Sequence, residues 1–238
     1  RSGGFRGLSF AIPIDIAMNV VDQLKENGIV SRGWLGVIIQ EVSKDLAESF
    51  GLKKAEGALV AKVLPASPAL AGGLQEGDII LKFEGSPIVL SADLPHKVGV
   101  VLPGKKATLQ IVRAGKVMDL SMVIGALPTE KSLAGQSANQ AQPENADNPL
   151  NMVLEDLSSE HKERFNVTGG VLVKQIEEGV GARAGVIPGD VITMLHGQRI
   201  QSISHLLSVI KDAPKNKALP MRIVRRGSPL FVPIKLEE

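Results

Sequence analysis

The stretch Gly57–Ile88, GALVAKVLPASPALAGGLQEGDIILKFEGSPI, recurs as Gly169–Ile200, GGVLVKQIEEGVGARAGVIPGDVITMLHGQRI. Gly77 and Asp78 stand 112 positions before Gly189 and Asp190, and Ile111-Val112-Arg113 stand the same 112 before Ile223-Val224-Arg225. A register that never drifts marks two copies of one folded unit, because loop lengths in unrelated segments do not match over such a span. Two similar binding sites follow from this more naturally than one catalytic site spanning both halves.

Each copy reads as short strands with small helices between them. In the first, Trp34–Val42 is predicted as one strand and Ala58–Leu64 as the next, with a short helix over Ser67–Leu74 that a glycine stops. Asp78–Ile88 reads as a strand with a hairpin turn at Glu84-Gly85, then comes a helix around Ser91–Val98, and a closing hairpin turns at Ala114-Gly115. The second copy retraces this order. The fold class is therefore α+β, a small strand-rich domain made twice. Ahead of the repeats, residues 1–13 (RSGGFRGLSFAIP) read as a glycine-rich turn running into a strand that Pro13 ends. A helix is expected from Asp15, its N-cap, with Ile16, Val20, Val21 and Leu24 on one face and Gly28 as the stop. Between the copies, residues 125–149 are rich in Ala, Gln, Asn, Ser and Pro without apolar period, which predicts a flexible linker. As a random coil it has an end-to-end distance on the order of 25 to 30 Å, enough for the domains to reorient.

Composition removes several classes of function. The 238 residues carry 27 Lys and Arg against 25 Asp and Glu, a net charge of +2 that supplies no field for nucleic acid. One Trp, six Phe and no Tyr leave no stacking platform for single strands. Without cysteine there are no disulfides, no thiolate chemistry and no Cys-based zinc site. No apolar run approaches the roughly 20 residues of a membrane-spanning helix. His161, His196 and His205 lack partners at ligand spacing, so no metal and no cofactor are expected. Because the chain opens on Arg1, it is expected to be a piece of something longer.

The motif Arg32-Gly33-Trp34-Leu35-Gly36-Val37 carries the binding chemistry. A glycine between apolar residues at the mouth of a strand takes positive φ and turns successive N–H groups towards one point, a nest for a carboxylate. The strand behind it, Ile38, Ile39 and Gln40, would offer its edge to an extended peptide. Leu94 and Val98, four apart on the later helix, are candidates for the opposite wall of the groove, as are Leu206 and Ile210 in the second copy. Aspartates 78 and 190 read as turn formers that bond nearby backbone rather than as catalytic acids. Arg113, Arg225 and Arg226 fall at hairpin turns and are expected to be solvated.

Together, residues 7–15 (GLSFAIPID), the Arg32–Val37 motif and Ser67–Ile88 resemble the bacterial HtrA (Deg, or Do-type) serine proteases. The resemblance implies two PDZ domains in tandem, each a small, partly open β-barrel or sandwich with capping helices. It implies a protease-domain remnant over 1–14, a connecting helix over 15–31, PDZ domains over 32–126 and 149–238, and a linker over 127–148. Two PDZ domains resemble the DegP or MucD type of architecture. By the same resemblance Trp34, Leu35, Gly36 and Val37 form the carboxylate-binding loop. Aligning Glu41-Val42 with Asp156-Leu157 puts Leu150, Asn151, Met152 and Val153 at the second loop, where Asn151 replaces the glycine. Asn tolerates positive φ best of the other residues, yet the change puts a second peptide site in doubt. The nucleophile of that family lies in a GNSGGP-like segment that is absent here, so no catalytic residue is expected and the chain should be inert by itself. The whole protein would be periplasmic and act on misfolded envelope proteins, its partners being their C-terminal or unfolded peptides and other subunits of the same protease. The alternative is a chiefly structural module that ties protease subunits into larger assemblies.

Overall fold

The computed structural model describes residues 14–27, 30–127 and 149–236. The turn and strand expected over residues 1–13 and the stop at Gly28 lie outside them. The leading helix α1 spans Ile14–Asn27, so Asp15 falls in its first turn rather than at its cap. No helix among the described residues is long and apolar enough to cross a membrane.

The first domain runs β1 (Gly33–Trp34), β2 (Val37–Glu41), α2 (Lys44–Ser49), β3 (Ala58–Val63) and α3 (Pro68–Ala71). It continues through β4 (Ile79–Phe83), β5 (Ser86–Pro87), α4 (Asp93–Gly99), β6 (Lys106–Arg113), β7 (Lys116–Val123) and β8 (Gly125–Ala126). The second repeats the plan without the first and last short strands. Its elements are β9 (Met152–Asp156), α5 (Ser159–Phe165), β10 (Val171–Ile176), α6 (Val180–Arg183), β11 (Val191–Leu195), β12 (Gln198–Arg199), α7 (Ile203–Asp212), β13 (Ala218–Arg225) and β14 (Ser228–Lys235). The order is β2-β3-β4-β6-β7 in one sheet and β9-β10-β11-β13-β14 in the other. Both sheets stay open, so the architecture is α+β without a closed barrel, and β2 and β9 are end strands.

Two sequence expectations change. The strand predicted over Trp34–Val42 is broken in two, because Leu35 and Gly36 leave the sheet and Gly36 has φ +79°. Gly125-Ala126, placed at the head of the linker, instead pair with Trp34 and Gly33 as a two-stranded ribbon. The hairpin turns fall where expected: Glu84-Gly85, Ala114-Gly115, His196-Gly197 and Arg226-Gly227 all have positive φ at both residues, as two-residue turns on twisted strands require.

The two copies share one polar keystone. Asp78 is 1% exposed; its carboxylate accepts the Gln75 N–H at 2.7 Å and both Nε and Nη2 of Arg113 at 2.7 Å. Arg113 Nη2 also donates to the Gly73 carbonyl at 2.7 Å. Asp190 repeats this with the Ile187 N–H and Arg225, which reaches the Gly185 carbonyl. The aspartates do bond nearby backbone, but Arg113 and Arg225 are not solvated turn residues: the strand register brings them onto a buried carboxylate. The bond to Asp78 raises the Arg113 pKa, as the bond to Asp190 does for Arg225.

The domains also touch. Met194 and Phe231 of the second enter the cluster of Val42, Leu46, Ala47, Leu59, Ile79 and Val112 of the first. Phe50 and Phe231 meet edge-to-face with centroids 5.5 Å apart.

Removing one partner of a buried ion pair leaves the other uncompensated, at a cost of about 3 kcal/mol. Asp78→Ala should therefore lower the urea midpoint of the Trp34 fluorescence transition by the equivalent of about 3 kcal/mol; a change under about 0.5 kcal/mol, the range of ordinary surface substitutions, would refute the keystone role.

Candidate functional site

The proposed carboxylate loop is built by backbone bonds that turn its carbonyls inward. Leu35 O accepts the Ala69 N–H at 2.8 Å and Gly36 O accepts the Leu64 N–H at 2.9 Å. Across a trans peptide the N–H points opposite to the carbonyl. The N–H groups of Gly36 and Val37 therefore point away from α3 and the end of β3, outward as a nest requires. Space as well as φ demands glycine here: a Cβ on Gly36 would lie 2.3 Å from Ser67 Cβ and 3.0 Å from the Trp34 ring. Ser67, almost wholly buried, caps α3 by accepting the Leu70 N–H at 3.2 Å.

The second copy solves the same crowding the other way round. Asn151 has φ +54°, its carbonyl accepts the Glu177 N–H at 2.9 Å, and Leu150 O accepts the Gly181 N–H at 3.1 Å, matching the bonds of the first loop. Gly179 stands where Ser67 stands, 112 positions on. A Cβ on Gly179 would lie 2.6 Å from Asn151 Cγ. One member of each pair must therefore be glycine: Gly36 faces Ser67, and Asn151 faces Gly179. Sequence reasoning picked out Asn151 and missed Gly179; the repeat register was the signal that pairs them. Leu150 and Met152 are buried, Val153 half-buried, and an open depression beside the loop is lined by Asn151, Glu178, Gly179, Ala182 and Arg183.

In the first domain β2 is an end strand of its sheet, and Glu41 at its end bonds Ser91 just ahead of α4. Ile38 is exposed on that strand, while Val37 and Ile39 pack half-buried against the core. Leu94 and Val98 sit in the same core, 2% and 4% exposed, so they form the base on which α4 rests and present little surface to a ligand. Leu206 and Ile210 are likewise buried in the second domain.

A carboxylate at the end of the edge strand fixes the start of the later helix, α4 or α7, in both copies. Glu41 Oε2 accepts the Ser91 N–H at 2.8 Å and its hydroxyl at 2.6 Å; Asp156 Oδ1 accepts the Ile203 N–H at 2.6 Å. Asp93 accepts the Leu90 and Val89 N–H groups, each at 2.9 Å, and these bonds lower its pKa. Gln40 turns its side chain to the second domain: Nε2 donates to Phe231 O at 2.9 Å and Oε1 accepts the Phe231 N–H at 2.8 Å. Beside it, Arg222 donates to Ala61 O at 2.9 Å, Thr193 Oγ1 at 2.9 Å and Glu76 Oε1 at 3.0 Å. Burial lowers the Arg222 pKa, Glu76 opposes that shift and nearby Arg199 adds to it. A cavity of about 160 Å³ adjoins these groups between the domains. These interdomain residues were not singled out from the sequence.

PDZ domain families match residues 23–124 and, separately, 172–225. The probable periplasmic serine endoprotease DegP-like of Pseudomonas putida (strain GB-1) is 51% identical over 238 residues, covering 100% of this chain and 50% of the relative. The protein of the same description from Hahella chejuensis (strain KCTC 2396) is 48% identical over 237 residues, covering 99% and 50%. Among solved structures, an HtrA-type protease, AlgW, with tripeptide is 36% identical with a TM-score of 0.48, covering 56% of this chain and 44% of that one. The chain spans about half the length of the curated relatives it matches. It belongs to the PDZ domain family, carrying two such domains in tandem, and is similar along its whole length to the probable periplasmic serine endoproteases described as DegP-like.

Proposed function

We propose that this chain is the peptide-binding and regulatory PDZ region of a periplasmic, DegP-like serine endopeptidase that acts on misfolded envelope proteins. The first domain captures an exposed C-terminus with an apolar last side chain. Its carboxylate lies on the N–H groups of Leu35, Gly36 and Val37, and the peptide extends along Ile38, Ile39 and Gln40 as an added strand. The observation that carries this reading is the inward turn of the Leu35 and Gly36 carbonyls beside an end strand. Charge-assisted bonds of this kind contribute about 1.5 to 3 kcal/mol each, yet the contact is small and the peptide must be ordered. A dissociation constant on the order of micromolar or above is expected. The GNSGGP-like nucleophile segment does not occur in the 238 residues, so proteolysis belongs to the rest of the protein.

A second reading is a structural module that ties protease subunits together; for the second domain it is favoured by Asn151, which replaces the loop glycine.

Trp34 is the single tryptophan and adjoins the loop. Titrating peptides with apolar C-termini should give a saturable change in its fluorescence that C-terminal amidation abolishes. Binding indifferent to amidation would shift the function to assembly.

The paired glycines give a sharper test. Gly36→Asn alone should cost the first domain about 1 to 3 kcal/mol by crowding Ser67, and adding Ser67→Gly, the pair used by the second copy, should recover most of it. Equal stability of the single and double variants would show that the two positions do not compete for space.

A further inference from the structure

The residues by which the second domain meets the first form a row across one sheet face. Met194 is opposite Arg222, and Arg222 opposite Phe231, on β11, β13 and β14. At the same three places in the first domain, 112 positions earlier, stand Lys82, Gln110 and Asp119. That row is solvated, with Gln110 Nε2 donating to Asp119 Oδ1 at 3.3 Å. The receiving side differs between the copies as well. Gln40 and Glu76, which hold Phe231 and Arg222, have Glu155 and Pro188 as counterparts, and Glu155 is spent inside its own domain on Lys174 at 2.7 Å. The repeats have thus diverged into one domain that inserts and one that receives.

The receiving element is the peptide strand itself. The Gln40 carboxamide bonds both the N–H and the C=O of Phe231, as a peptide group would, and so closes the edge of β14. The next residue, Glu41, holds the head of α4 through Ser91. One strand is therefore fastened on one side to the groove helix and on the other to the second domain. Arg222 locks the same seam from the neighbouring strand, through Ala61 O on β3.

We propose that the second PDZ domain is a positioning element of the first domain's peptide groove: seated through Gln40, it holds β2 in its binding-competent form, so that seating and peptide capture strengthen each other. The proposal rests on the reading of the first groove as a site for C-terminal carboxylates. Linkage makes the effect reciprocal: whatever factor seating adds to peptide affinity, peptide adds to seating.

The test uses the whole chain and gives the second domain the first domain's own solvated row, M194K/R222Q/F231D, three residues that the same sheet positions already tolerate. Small-angle scattering reads whether the seam opens, and Trp34 fluorescence reads affinity for a peptide with an apolar C-terminus. The expected result is an expanded particle with affinity lowered at least about 5-fold. Gln40→Leu should weaken binding in the same direction, and saturating peptide should slow hydrogen exchange of the Phe231 amide in the unsubstituted chain. An expanded particle that binds as tightly as before would overturn the proposal. So would unchanged scattering, because the row would then not hold the seam. Failure of the groove reading is seen separately: amidation would leave binding to the unsubstituted chain unaltered.

Discussion

A single buried carboxylate organises each domain, and the candidate site depends on it at one remove. Asp78 ties the turn at Gln75 to Arg113 at the end of β6, and Arg113 reaches on to Gly73 just beyond α3. The helix so fixed presents Ala69 N–H to Leu35 O and Ser67 to Gly36. The orientation of the loop N–H groups thus depends on an ion pair that lies outside the loop. Because the carboxylate raises the Arg113 pKa, the pair's contribution through arginine is complete below the ordinary arginine value. It is lost only as pH climbs through the raised value, far above neutrality.

The two PDZ domains, their turns and the positive φ of Gly36 were legible in the sequence for identifiable reasons. Register between the copies needs no structure to detect, and Glu84-Gly85 or His196-Gly197 between alternating residues leaves few backbone solutions. Other features required a third dimension. Arg113 looked like a turn residue because Asp78 lies 35 positions away, and only the pairing of β4 with β6 brings them together. Leu94 and Val98 share a helix face, but spacing alone does not distinguish a groove wall from a core, and α4 lies on the core. The seam was written in the sequence as a contrast: Lys82, Gln110 and Asp119 against Met194, Arg222 and Phe231. Reading it required knowing that three positions on separate strands share one face.

The loops show how duplicated units keep a geometry while exchanging the residues that secure it. Positive φ is kept at Gly36 and Asn151, and both pairs of inward carbonyl bonds are kept. What moved is the permitted Cβ, from position 67 in one copy to 151 in the other. The exchange has a consequence for α6. Ser67 caps α3 with its side chain, whereas Gly179 offers none, so the helix behind the second loop starts without a side-chain cap. Glycine in place of a serine cap typically costs only a few tenths of a kcal/mol. The second loop therefore rests on a slightly less firmly anchored support than the first.

The seam between the domains is suited to reversible use. Its apolar part sets Met194 and Phe231 against Val42, Leu46, Ala47, Leu59, Ile79 and Val112, and its polar part includes a buried guanidinium whose desolvation offsets much of what its bonds contribute. Between separate molecules such a contact forms only at concentrations near its dissociation constant. Both halves are on one chain, however, and a tether raises their effective concentration to roughly the millimolar range. A contact too weak to hold two proteins together can then be populated within one, and a modest free energy from a bound peptide is enough to tip it. Buried polar groups also make the contact exacting. Arg222 must find Glu76, Thr193 and the Ala61 carbonyl together, and a displaced domain leaves the charge without partners. The seam is thereby driven towards two states, seated or open, which is the behaviour required of an element that links one groove to a second domain.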